Sequence, residues 1–130
     1  MDNRIEYLNT DLMLTSPVDL RRLLEEFQVS GVYAMHDENL SDDGLWYASF
    51  ETETQCHAPE DSIGKMLDAV ETLTPVGRQL WDGCSRREFD IGFDCGAEPW
   101  AFNQGLSSQL LQRIAAAGAS LRITLYPNRD

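Results

Sequence analysis

Cys56 and His57 lie side by side, with His36 farther off, and they are the residue types of a thiol nucleophile and its general base. Neighbouring side chains on an extended segment point to opposite sides, and catalytic Cys-His pairs converge from separate elements. A loop histidine beside an incidental cysteine is therefore the expected reading. Cys56, Cys84 and Cys95 make an odd set with no C-x-x-C spacing, so free thiols are expected rather than a disulfide framework. The same cysteines and the two histidines lack the spacing of a four-ligand zinc site. Asp37 to Asp42 has the carboxylates of a calcium loop, but its sixth position is Asp42 where a glycine must turn the chain. Its twelfth would be Ala48 where a bidentate glutamate is needed. No glycine-rich phosphate loop, dinucleotide fingerprint or nucleophile elbow occurs. No metal or cofactor is expected.

Two groups remain. Glu88, Asp90 and Asp94 alternate with Phe89, Ile91 and Phe93, which places the three carboxylates on one face of a strand, as an acid/base pair or as an ordinary solvated face. The second group is Trp100 and Phe102, two large aromatics in the loop Asp94 to Gly105, where a partner anchor or a pocket wall competes with simple cover for the sheet edge. An acidic turn, Asp37, Glu38, Asp42 and Asp43, is the third surface considered for binding.

The elements that must position these residues are legible from periodicity. Ile5 to Leu14 alternates imperfectly and reads as a strand. Ser16-Pro17 with Asp19 reads as a helix start, and Leu20, Leu23, Leu24 and Phe27 give an apolar stripe over 17–29 closed by Gly31. Val32 to His36 and Leu45 to Glu53 read as antiparallel strands around a polar turn, and in the second Trp46, Ala48 and Phe50 share the core face while Tyr47, Ser49 and Glu51 share the other. Pro59 opens a helix with a stripe through Ile63, Met66, Leu67 and Val70, and Thr74-Pro75 starts another that ends near Gly83. Glu88 to Asp94 is a half-buried strand. Ser107 caps a helix, with Leu106 stapled onto Leu111, and Ser120 to Tyr126 closes the fold as a strand after Gly118. The expected fold is one α+β domain over residues 1–130, in the order β-α-β-β-α-α-β-α-β. Its mixed, mainly antiparallel sheet has about five strands, with helices mainly on one face. Trp46, Phe50, Phe89, Ile91, Leu111, Ile114 and Ile123 are the expected core.

Charge sets the class of partner. The 130 residues hold 22 Asp and Glu against 10 Lys and Arg, a formal net of -12, and between Leu23 and Gly64 there is no Lys or Arg at all. Such a chain repels nucleic acid and anionic membrane at long range and attracts a basic protein. Solvation and a genomic preference, with one Lys against nine Arg, are the competing explanations. No apolar run approaches the length of a membrane span, and the opening Met1 to Glu6 lacks the basic start and apolar core of a secretory leader, so the cytoplasm is the expected compartment.

Phe89-Asp90-Ile91-Gly92-Phe93, Leu106-Ser107-Ser108-Gln109-Leu110-Leu111, Ile114-Ala115 and Gly118 to Pro127 resemble the end of a small bacterial domain-of-unknown-function family. In that family a strand leads to a Leu-Ser-capped helix, a Gly turn and a closing strand. The resemblance spans roughly residues 58–127 and rests on core and capping positions. It implies a small α+β fold akin to immunity proteins of bacterial toxin systems, and brings no catalytic residues. The leading expectation is a non-enzymatic acidic interaction protein, of the immunity or inhibitor kind, that binds a basic partner. The alternative is a small enzyme or ligand-binding protein with a pocket near Trp100 and the Asp90/Asp94 strand.

Overall fold

The computed structural model describes residues 3–127, apart from the side chains of residues 36–39. The elements follow the expected order: β1 (Glu6–Ser16), α1 (Arg21–Val29), β2 (Val32–Leu40), β3 (Trp46–Thr52), α2 (Pro59–Glu71), α3 (Pro75–Asp82), β4 (Arg86–Asp94), α4 (Ser108–Ala116) and β5 (Ser120–Tyr126). One sheet takes the order β2-β3-β1-β4-β5. Its β2–β3, β3–β1 and β1–β4 pairs are antiparallel and its β4–β5 pair is parallel. A parallel pair needs a crossover, and α4 supplies it.

The helices cover one face of the sheet. Leu12, Leu14, Phe50, Phe89 and Ile91 point from the central strands into that layer and meet Leu23, Phe27, Ile63, Met66, Leu67, Trp81, Leu110 and Ile114 from the helices. Phe27 is the hub, edge-on to Phe50 at 5.2 Å and to Trp81 at 6.2 Å between ring centroids. Trp81 is wholly buried, and its indole N–H donates to the Ala117 carbonyl at 2.8 Å, as a buried indole requires.

The imperfect alternation of β1 has a structural cause. A bulge between Tyr7 and Asn9 inserts one residue, so Tyr7 stands opposite Phe93 while Thr10 stands opposite Ile91 and Leu12 opposite Phe89. The extra residue reverses the phase, putting an odd-numbered residue before the bulge and even-numbered residues after it on the same core side.

Two polar clamps fix the helix starts. Thr74 Oγ1 accepts from Gly77 N at 3.2 Å and donates to Glu26 of α1 at 2.7 Å, and Thr74 N donates to the same carboxylate. A side chain at Gly77 would strike that carboxylate, which explains the glycine inside α3. Ser107 repeats the arrangement: its hydroxyl accepts from Leu110 N and donates to Glu60 of α2 at 2.5 Å. The N-caps expected at Thr74 and Ser107 are thus present, and each also ties its helix to another. Gly31 and Gly118 take positive φ, 79° and 72°, after α1 and α4, where left-handed backbone lets the chain leave the helix.

Five expectations are corrected. α1 begins at Arg21, not 17, because Ser16 still belongs to β1; its hydroxyl accepts from Val18 N, and Asp19 Oδ1 accepts from Arg21 N, so residues 17–20 form a turn. β2 runs on to Leu40 through two irregularities, so Asp37 and Glu38 lie in a strand rather than a turn. Leu111 is exposed, since α4 buries Leu110, Ile114 and Ala117, and Leu106 packs on the core without it. Ile123 has the core phase but sits on the edge strand beyond the helices and is 65% exposed. Trp46 is only partly buried against the core, whereas Phe50, Phe89, Ile91 and Ile114 are buried as expected.

Candidate functional site

The face of the sheet turned away from the helices carries the unexplained chemistry. Asp11 on β1 and Asp90 on β4 are direct cross-strand partners. Glu51 on β3 lies one residue past the Leu12–Phe50 pair, beside Asp11. Three carboxylates on three adjacent strands therefore occupy the middle of the sheet, where like charges opposite one another destabilise. Burial pushes the Asp11 carboxyl up, and the negative charges of Glu51 and Asp90 push it further, to about 6. Asn9 Nδ2 donates to Asp11 Oδ1 at 2.9 Å, and Thr124 Oγ1 donates to Asp90 Oδ1 at 2.6 Å, so each carboxylate is held in place by a neutral neighbour.

Toward β5 the charge is balanced. Glu88 accepts from Arg86 Nη2 at 2.6 Å and from Arg122 Nε at 2.8 Å, and these two arginines hold its carboxyl below the usual range. Arg122 is also the cross-strand partner of Asp90 and feels its charge, so the acidic centre falls on Asp11 and Glu51 over β1 and β3, bounded on the β4 side by Asp90 and this ion-pair triad. Tyrosines accompany it. Tyr33 is paired with Glu51, Tyr47 with Thr15 and Tyr126 with Asp94, and all three are more than a third exposed. Gly92 makes room for Tyr126: a side chain there would stand 3.2 Å from the Tyr126 ring and 3.3 Å from Asn9 Oδ1.

Where β1 and β3 part beyond Leu12–Phe50, a cleft of about 390 Å³ opens beside Glu51. Tyr7, Thr10 and Ser62 join hydroxyls at its base, with distances of 2.8, 2.8 and 3.0 Å, and Glu51 and Glu53 line it with Asn9 and Gln55. Burial raises the Tyr7 phenol pKa against the lowering effect of these hydrogen bonds. The lining offers acceptors and carboxylates and suits a cationic group. Among the described residues no three of His, Cys, Asp and Glu converge closely enough to hold a metal ion.

The residues singled out from sequence scatter. Asp42 is exposed in the β2–β3 turn. Asp43 is committed to that turn, accepting from Leu45 N at 2.9 Å and from the Tyr47 hydroxyl, bonds that lower its pKa. The side chains of Asp37 and Glu38 lie outside the described residues. Trp100 is 98% exposed. Phe102 folds back edge-on to Phe93 at 5.6 Å and lines an apolar groove with Asp94 and Leu106; Trp100 is not part of that lining, and Asp90 lies on the opposite face. Cys56 hydrogen-bonds to Thr54 and His57 is exposed, while burial raises the pKa of Cys84 to about 11. Sequence reading missed Asp11 and the grouping around it. Glu51 was visible on the outer phase of β3, but only the pairing of β1 with both β3 and β4 joins it to Asp11 and Asp90.

Compared with protein-family models, curated proteins and solved structures, the chain finds no match.

Proposed function

We propose that this protein is a non-enzymatic interaction protein that presents its open sheet face to a basic protein partner. One observation carries the reading: the Glu51–Asp11–Asp90 row across three central strands, in which Arg122 stands beside Asp90 but Asp11 is flanked by carboxylates on both sides, an arrangement that weakens the fold and that a cationic group would relieve. Tyrosines around the row supply the amphipathic contact area typical of interfaces, and their ring faces suit arginine. The cleft beside Glu51 offers depth for one long cationic side chain. A net charge of -12 speeds encounter with such a partner. A nuclease-like toxin with a positively charged groove, the partner of an immunity-type protein, is the kind of partner it would fit.

The reading is tested with an oligoarginine peptide as the basic probe. Affinity should fall with added salt, and the triple substitution D11N/E51Q/D90N should weaken binding at least tenfold at low salt. The hairpin variant D37N/E38Q/D42N should change it far less. If the hairpin variant alone loses binding, recognition belongs to the β2–β3 turn and not to the open face.

A further inference from the structure

Of the two edge strands of the sheet, β2 and β5, the second is the less protected. β5 is its last strand, and among the described residues no strand pairs with its outer side. Sheet edges are ordinarily blunted by charge, proline or cover. β5 has little of this: from Ser120 to Tyr126 its one charge is Arg122, and it is the only one of the five strands without a carboxylate. Leu121, Ile123 and Leu125 take the core phase of the sheet yet are 38%, 65% and 62% exposed. They form one wall of an apolar groove of about 390 Å³ that Ile91, Phe93, Phe102 and Leu106 complete.

We propose that a second copy of this chain docks here, β5 against β5, antiparallel about a two-fold axis at Ile123, joining the two sheets into one. Charge points to this edge, because a second copy is as acidic as the first and meets repulsion at any carboxylate-bearing strand. The residue pattern points to self-pairing. A two-fold at Ile123 sets Ile123 against the second copy's Ile123, Leu121 against its Leu125, Arg122 against its Thr124 and Ser120 against its Tyr126. Every apolar residue then meets an apolar one on the groove side, and no like charges face each other. Arg122 is already bound by Glu88 of its own copy, which offsets its charge against the second copy's Arg122 across the axis. An isologous contact of this kind closes after two copies, and it hides the free edge that would otherwise template aggregation. The acidic, tyrosine-bearing face stays open on both copies, so the inference does not depend on the function proposed above.

Sedimentation equilibrium on the full chain tests it. The wild type should be a dimer, and I123K and I123E should each be monomeric with unchanged far-UV circular dichroism, since Ile123 is not in the core. An equimolar mixture of the two variants should dimerise again, because the two-fold sets each lysine against a glutamate. I123C, which removes little, should form an intermolecular disulfide in air that the wild type does not. A monomeric wild type overturns the proposal, as does a dimer indifferent to I123K, or variants that stay monomeric when mixed while I123C fails to cross-link. A monomer whose groove takes up the apolar dye ANS, with uptake lost in I123K, would assign the groove to a small apolar ligand instead.

Discussion

Asp11 is the residue at which the fold and its proposed role conflict. A carboxyl whose pKa is raised from 3.8 to about 6 by folding favours the folded state while protonated. Its destabilising effect therefore develops as pH rises from about 4 through about 6 and is complete above that. D11N should raise stability at pH 8 by on the order of 1 kcal/mol, allowing for solvent screening at a half-buried site, and should change it little at pH 4. Denaturant melts at the two pH values check this; equal effects at both would remove the case for a strained carboxylate row. Glu26 and Glu60 carry the opposite sign. Burial of Glu26 is outweighed by hydrogen bonds from Thr74 and Arg22, and hydrogen bonds from Ser107 act on Glu60, so both carboxyls titrate below their usual range. Their stabilisation is present above the unfolded pKa and is lost as pH falls through the folded one, so acid unfolding should begin below pH ~4. T74A removes the cap and the clamp to Glu26 together and should cost about 1–2 kcal/mol, measured by urea unfolding.

At the scale of elements, what could be read locally was read and what depended on neighbours was not. The strict alternation of Glu88 to Asp94, the hydroxyl-Pro and Leu-Ser starts of α3 and α4 and the glycines after α1 and α4 are local signals, and the structure follows them. The start of α1 was misplaced because Ser16-Pro17 has the chemistry of a cap while also completing a strand. Leu111 was misassigned because Leu110 and Leu111 both fit a helical stripe with Ile114, and only the position of α2 decides which turns inward. Ile123 has the right phase on the wrong strand, since burial at a sheet edge depends on which helix lies above it. The candidate site was half legible: the outer phases of β3 and β4 gave Glu51 and Asp90, but Asp11 belongs with them only because the bulged β1 runs between their strands. This contrast is testable by truncation. F89A should cost about 3–5 kcal/mol and I91A about 2–5, whereas I123A should stay within about 0.5 kcal/mol of wild type in the monomer. Losses below 0.5 kcal/mol at both Phe89 and Ile91 would contradict the core described for β4.

At the scale of the whole molecule, the helices cover one side of the sheet and leave the other side to charge. That division turns a net charge of -12 from a bulk property into a surface with a centre, because Arg86 and Arg122 bind Glu88 and Arg122 also stands beside Asp90, while Asp11 lies between Glu51 and Asp90 and is pushed up by both charges. A charge that served solvation alone would attract a cationic probe diffusely, to the β2–β3 turn as readily as to the sheet. The most direct measurement is an amide NMR titration of the protein with an oligoarginine peptide at low salt, at pH 5 and pH 7.5. Shift changes should concentrate on the open-face residues of β1, β3 and β4 around Asp11, Glu51 and Asp90, and be larger at pH 7.5, where Asp11 is ionised. Changes centred on the β2–β3 turn or spread evenly over the acidic surface, with no dependence on pH across this range, would contradict this reading.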